Sequence, residues 1–378
     1  CGRAGRPVAM IRVLHIIQQL GPGRGGVRTF VSTMLDCPAP DIEQSVLSVG
    51  RVEGDRFGER FFGPLIDSYS PLLVGTLGAK RLDAFLSKHR FDIVQIHTNN
   101  ALGFVFASEA KKAGVPARIV HCHNSALGSA SRLKNMVNVA MIDRFLPAAS
   151  ERWACSEVAG GYLFQGADYA LVHNGVDTEK FRFSSSDRAA VRHRLGIPGD
   201  AAVIGFVGAG IPAKNTLRAL DIFNQLRSRD ADDRLLLFGQ AEELPLAKEK
   251  AAKLGLGESA VFIGTVDDIW RYYSAMDALL APSFHEGLPI AFIEAQANGL
   301  PILSSDAVTQ EADLTGLLQR AGLSLSDKEW ADLLEACAGK REITAKVDYV
   351  PFLDKAGYTT RSLYKQLSDR YRNMTKGA

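Results

Sequence analysis

Cysteine is scarce in this 378-residue chain, and no pattern joins the five that occur. Cys1, Cys37, Cys122, Cys155 and Cys337 include no C-x-x-C pair, which argues against a disulfide framework or a zinc site and for reduced thiols in a cytoplasmic protein. Also missing is any apolar run near the roughly 18 residues that a bilayer span needs, and the first residues lack the apolar core of a signal peptide. A soluble chain is the expectation. Charge of one sign is not in excess either: 44 Lys plus Arg stand against 42 Asp plus Glu, a net charge of +2, so there is no global electrostatic case for nucleic acid. Short-period repeats and low-complexity tracts are absent.

What is present is alternation. Short apolar runs trade places with helical patterns, the signature of parallel α/β layers. Candidate strands are 11–17, 44–49, 93–96, 118–120, 153–154 and 170–172, and then 203–207, 235–238, 261–263, 278–280 and 302–303. Each series makes one doubly wound sheet, and the chain is long enough for two such domains. Residues 1–9 have no periodicity and are expected to be a disordered extension, 10–182 a first Rossmann-like domain, 183–200 a polar linker with a short amphipathic helix ending at Gly196, 201–355 a second Rossmann-like domain and 356–378 a terminal helix. That helix places Leu363, Tyr364, Leu367 and Tyr371 near helical spacing, so it must bury one face.

Strand ends in open α/β sheets are where ligands bind. Gly21, Gly23 and Gly26 after the first strand satisfy G-x-G-x-x-G, which raises an NAD-dependent oxidoreductase as an alternative, but no acidic residue tips the second strand to hold a ribose. His97 ends the third strand, and His121 and His123 end the fourth. The H-x-H pair puts two imidazoles on one face, yet no third ligand has helpful spacing, so no metal is expected. Asp230-Ala231-Asp232 reads as a polar surface turn. Residues 131–145, with Arg132, Lys134 and Arg144 among apolar residues, read as an ordinary domain helix or as a peripheral contact with the inner face of a membrane. Asn174-Gly175-Val176-Asp177 reads as a structural turn with Gly175 left-handed, and Ser156 as a helix cap.

The most informative segment is Pro282-Ser283-Phe284-His285-Glu286-Gly287-Leu288-Pro289, followed by Ile290 to Glu294. Proline suits a first helical position, so Glu286 falls on a loop and Glu294 about a turn and a half into a helix, roughly 6–8 Å along its axis. The amides of Gly287, Leu288 and Ile290 mark the end that attracts anions. A diphosphate flanked by two hydroxyl-bearing sugars matches this layout.

The spacing resembles the E-x7-E signature of the retaining GT4 glycosyltransferases of GT-B fold. Met276-Asp277, Pro282-Ser283, Glu294-Ala295 and Gly299-Leu300-Pro301 stand in the family's order. The resemblance implies two Rossmann-like domains facing a cleft, a last helix crossing back to the N-terminal domain, and no cofactor beyond a nucleotide diphosphate sugar co-substrate. It implies transfer to a glycan or polyprenol-linked acceptor in surface polysaccharide synthesis. Carried over, Glu286 meets the donor sugar, Glu294 the ribose, Lys214-Asn215 the diphosphate, Gly25 and Gly26 the donor through their amides, and His123 the sugar or its departing phosphate; Gly287 and Leu288 complete the donor set. One departure stands out. The family places an arginine where this chain has Ala209, which makes Arg24 and Arg28 the candidates for compensating the phosphate charge and keeps a non-catalytic sugar-nucleotide-binding paralogue as a second alternative.

Overall fold

A computed structural model describes residues 10–18, 26–53, 57–123, 132–208, 210–239, 243–286 and 288–376. Chain contacts divide it into two compact units, residues 1–175 with 360–378 and residues 176–359. The first unit is built on seven strands: β1 (Ile11–Ile17), β2 (Ile42–Ser48), β3 (Phe61–Phe62), β4 (Ile93–Thr98), β5 (Ala117–Cys122), β6 (Glu151–Ala154) and β7 (Ala170–Leu171). Their order is β3-β2-β1-β4-β5-β6-β7 and every pairing is parallel. The second unit repeats the plan with β8 (Val203–Val207), β9 (Arg234–Phe238), β10 (Ala260–Gly264), β11 (Ala278–Ala281), β12 (Ile302–Ser305) and β13 (Leu318–Ala321), ordered β10-β9-β8-β11-β12-β13. Both sheets therefore reverse direction beside their first strand, between β1 and β4 and between β8 and β11. Loops leaving the C-terminal ends of those strands diverge there and leave a crevice for ligands.

Central strands such as β1 and β11 are buried on both faces, as helices packed on each side of a parallel sheet require. Two strands have no clear sequence signal. β3 is only two residues long, and the edge strand β13 reads Leu-Gln-Arg-Ala with polar residues facing solvent.

Residues 183–200, read as a linker, contain the helix Ser185–Arg194, and its basic face is bound into the second unit. Asp277, at the start of β11, accepts from Arg188 at 2.6 Å, from Arg192 at 3.2 Å and from the Val203 amide at 2.8 Å. A buried carboxylate shared by two guanidiniums and a strand amide fixes that helix against the sheet. The terminal helix Thr360–Thr375 lies on the first sheet: Leu363, Leu367 and Tyr371 are buried with Trp153, and the Tyr364 hydroxyl donates to the Thr33 carbonyl. Gly175 does not take the left-handed conformation expected of it; its backbone stays at negative φ. Ser156 does cap, accepting from the Ala159 amide at 3.2 Å.

Candidate active site

Each unit gathers polar groups at the C-terminal edge of its sheet. In the second unit two bonds join the turn after β8 to the loop after β11, and a third ties that loop to β12. Asn215, left-handed at φ 59°, donates its Nδ2 to the Pro282 carbonyl at 3.0 Å. The Phe284 amide donates to the Ala213 carbonyl, and Ser305 Oγ donates to the Ser283 carbonyl at 2.6 Å. This frame brings Lys214 and Glu286 together. Lys214 Nζ pairs with Glu286 Oε1, which also accepts from Ser283 Oγ at 3.0 Å. Both partners are mostly buried, with side chains 21% and 12% exposed, so the pair is poorly screened by solvent.

Gly208 makes room for this pair. Its φ of +103° is one that L side chains rarely adopt, and a Cβ there would lie 2.9 Å from Lys214 Cε and 3.1 Å from Cγ. The lysine stem passes directly over the glycine.

Glu294 sits in the second turn of the helix Ile290–Ala297, which begins one residue after the position read for it, with Pro289 just outside. Its Oε2 accepts from the Tyr273 hydroxyl at 2.8 Å. Tyr273 is wholly buried, and burial together with the neighbouring Glu294 raises its phenol well above the ordinary range, so it stays a donor. Tyr273 carries no sequence signal. It lies in the helix Ile269–Ala275, whose Arg-Tyr-Tyr-Ser reads as ordinary amphipathic packing. Leu288 packs against the second-unit core; Gly287 and Ala209 lie outside the described residues.

The first unit assembles imidazoles. His97 and His121 are direct partners on β4 and β5, and His123 follows one step beyond the strand. All three are buried, with ligand atoms within 4.8 Å of one another. The expectation that no third histidine joins the H-x-H pair is therefore corrected. Parallel pairing of neighbouring strands supplies His97, a relation invisible to spacing along one strand. A metal would be held by these three rings, but His97 Nδ1 and His123 Nε2 are 2.8 Å apart, a hydrogen bond, whereas two ligands on tetrahedral zinc lie about 3.4 Å apart. The arrangement fits a shared proton better than an ion.

Phe30 packs its ring against all three, with centroids 4.9 to 5.5 Å away. Burial keeps the rings neutral: it lowers His15 and His123 to about 4 and His97 and His121 well below their usual range. His123 Nδ1 faces Asn174 Oδ1 at 3.2 Å, so Asn174 is more than a turn residue. Gly26 opens the helix Gly26–Leu35, and the nearest atom to a side chain placed there is Asn174 Nδ2 at 4.0 Å. Arg28 donates to the Glu53 carbonyl and stacks on Phe57. Arg24 and Gly25 lie outside the described residues. Asp230 and Asp232 form a surface turn in which the Asp232 amide donates to Asp230 Oδ1.

The chain matches the model of Glycosyltransferase Family 4 over residues 24–180 and that of Glycosyl transferases group 1 over residues 187–339. It is 29% identical, over 86% of this chain and 88% of the relative, to EpsF of Bacillus subtilis (strain 168), itself provisionally assigned as a glycosyltransferase. It is 26% identical to the UDP-Gal:alpha-D-GlcNAc-diphosphoundecaprenol alpha-1,3-galactosyltransferase of Escherichia coli, over 65% of this chain and 66% of that one. Among solved structures, HepE of Anabaena in complex with UDP and glucose superposes with a TM-score of 0.75 at 19% identity, covering 96% of this chain and all of that one. The fold is thus GT-B, and the chain belongs to the GT4-type glycosyltransferases.

Proposed function

We propose that the chain transfers a sugar from a nucleotide diphosphate sugar, with retention of anomeric configuration and without a metal ion, to a glycan or lipid-linked acceptor in surface polysaccharide synthesis. The observation that carries this reading is the Lys214–Glu286 pair at the C-terminal edge of the second sheet, beside the point where its strand order reverses. A cation and a carboxylate in contact suit a donor that carries both a diphosphate and a hydroxyl-rich sugar. Lys214 turns to the diphosphate, and Glu286, released from it, accepts from sugar hydroxyls. Asn215 keeps the two loops in register, and Glu294 accepts from the ribose. The amides at Leu288 and Ile290, at the start of the helix Ile290–Ala297, face the charge that develops on the departing phosphate.

In the first unit, Gly26, Arg28 and His123 are the described residues read as meeting a sugar or phosphate group. An apolar acceptor tail has a matching surface. Leu72, Leu73 and Leu77 are exposed on one segment, and Met136, Val137 and Val139 on another. Both border the helix Leu102–Lys112: Leu102 touches Gly75, and Asn138 accepts from the Ala101 amide. Exposed apolar residues of this kind suit peripheral contact with lipid; among the described residues no helix is long and apolar enough to cross a membrane. Screening UDP-, GDP- and ADP-sugars by thermal stabilisation, followed by transfer to polyprenol-diphosphate-linked sugars, tests the reading. Absence of stabilisation by every nucleotide would overturn it.

A further inference from the structure

Gln44, His15, His97 and His123 form one unbroken line of buried hydrogen bonds across β2, β1, β4 and the end of β5, and its direction is fixed at the closed end. The Met34 carbonyl accepts from Gln44 Nε2, so Gln44 can only present Oε1 to His15 Nε2, 2.9 Å away. A carbonyl oxygen needs a proton opposite it. His15 therefore carries its proton on Nε2 and leaves Nδ1 a lone pair. His97 must then donate from Nε2 across 3.1 Å, which makes His97 Nδ1 an acceptor in its turn. His123 Nε2, 2.8 Å beyond, is obliged to carry a proton. One neutral tautomer of each ring satisfies the whole line.

We propose that Gln44, His15 and His97 are positioning residues that lock His123 as its Nε2–H tautomer and thereby set which atom Asn174 turns outward. With that tautomer, His123 Nδ1 is a lone pair facing the Asn174 side chain at 3.2 Å. The lone pair matches an amide N–H. A half-turn of the Asn174 amide supplies it, and Oδ1 then points toward the helix start at Gly26, where Nδ2 otherwise lies. An outward oxygen accepts from a sugar hydroxyl; an outward N–H would select a phosphate or carbonyl oxygen instead. Among the described residues the titratable groups facing His123 are His15, His97 and His121, with Asn174 and the Phe30 ring closing the rest, so no carboxylate there competes for its proton. His121 stands on a separate branch: Tyr371 donates to Gln95 Oε1, and Gln95 Nε2 donates to His121 Nδ1 at 3.0 Å.

This inference rests on the transferase reading for its kinetic consequence but not for its spectroscopic one. Long-range proton–nitrogen spectra of the full chain labelled with 15N-histidine at pH 7 should show His123 protonated on Nε2 alone. His97→Gln, whose amide can accept from His123 and donate to His15, should keep that tautomer. His97→Leu should release it to the Nδ1–H form and lower kcat about 10- to 100-fold, with the donor KM little changed. Should His97→Leu fail to fold, Gln44→Leu removes the anchor at the far end and should mix the tautomers. An Nδ1–H tautomer in the parent protein, an unchanged tautomer in the leucine variants, or stoichiometric zinc bound by the parent would overturn the proposal. A tautomer shift in a protein without transfer activity would leave it standing and overturn the transferase reading alone.

Discussion

Replacing Glu294 by alanine should weaken the binding of free nucleotide, because a carboxylate bonded to ribose hydroxyls acts before any chemistry begins. Hydrogen bonds to charged groups contribute about 1.5–3 kcal/mol, or roughly 10- to 150-fold in Kd. The structure adds a second handle. Tyr273 donates to Glu294 Oε2 at 2.8 Å from a fully buried ring, so it holds the carboxylate in one rotamer without reaching solvent itself. Tyr273→Phe keeps the ring and removes only this bond, which should cost about 0.5–1.5 kcal/mol, or roughly 2- to 12-fold. If the tyrosine acts only through the glutamate, its loss should cost nothing further in the Glu294→Ala background. Isothermal titration of UDP and GDP into the four proteins, with melting curves to confirm folding, gives the cycle. Equal Kd values for the parent and Glu294→Ala would refute the ribose assignment, and additive losses would refute the coupling.

Gly208→Ala should push Lys214 off Glu286, destabilising the fold by about 1–3 kcal/mol and slowing transfer about 100-fold; kinetics in the Lys214→Met background should show no further loss. The buried histidines predict acid sensitivity. His15 and His123 fall from 6.5 to about 4 on folding, so the unfolded chain binds more protons between those values; stability is full above pH 6.5 and drops by about 3 kcal/mol per ring as pH falls to 4, visible as a falling melting temperature. EDTA should leave transfer intact, and complete loss restored by manganese or zinc would return His97, His121 and His123 to the role of ligands.

The sheets were legible because their strands are buried on both faces and announce themselves as apolar runs. The positions of Glu286 and Glu294 were legible because turn and helix signals beside them fix local geometry, whereas Lys214 and Asn215 were picked out only by the order of residues in the family that the chain resembles. What sequence reasoning missed has a common cause. Tyr273 reaches Glu294 from a different helix, and His97 and His15 reach His123 across neighbouring strands, at sequence separations of 21, 26 and 82 to the next member of each contact. Such contacts come from strand order and register. The helix Ser185–Arg194 is legible as a short amphipathic element, but its surface is so rich in Ser and Arg that it reads as part of a linker, while the one buried carboxylate that anchors it, Asp277, lies far along the chain.

The proposed reaction is retaining transfer from a nucleotide diphosphate sugar by a site built on Lys214 and Glu286. The anomeric configuration of the product tests it most directly: once thermal stabilisation has identified the donor, an α-linked nucleotide sugar and a polyprenol-diphosphate-linked acceptor are incubated with the parent chain and with Glu286→Gln, and the new linkage is assigned by proton NMR. An α-linked product is expected from the parent, with a rate lowered about 100-fold or more in Glu286→Gln. A β-linked product, or an undiminished rate in the variant, would contradict it.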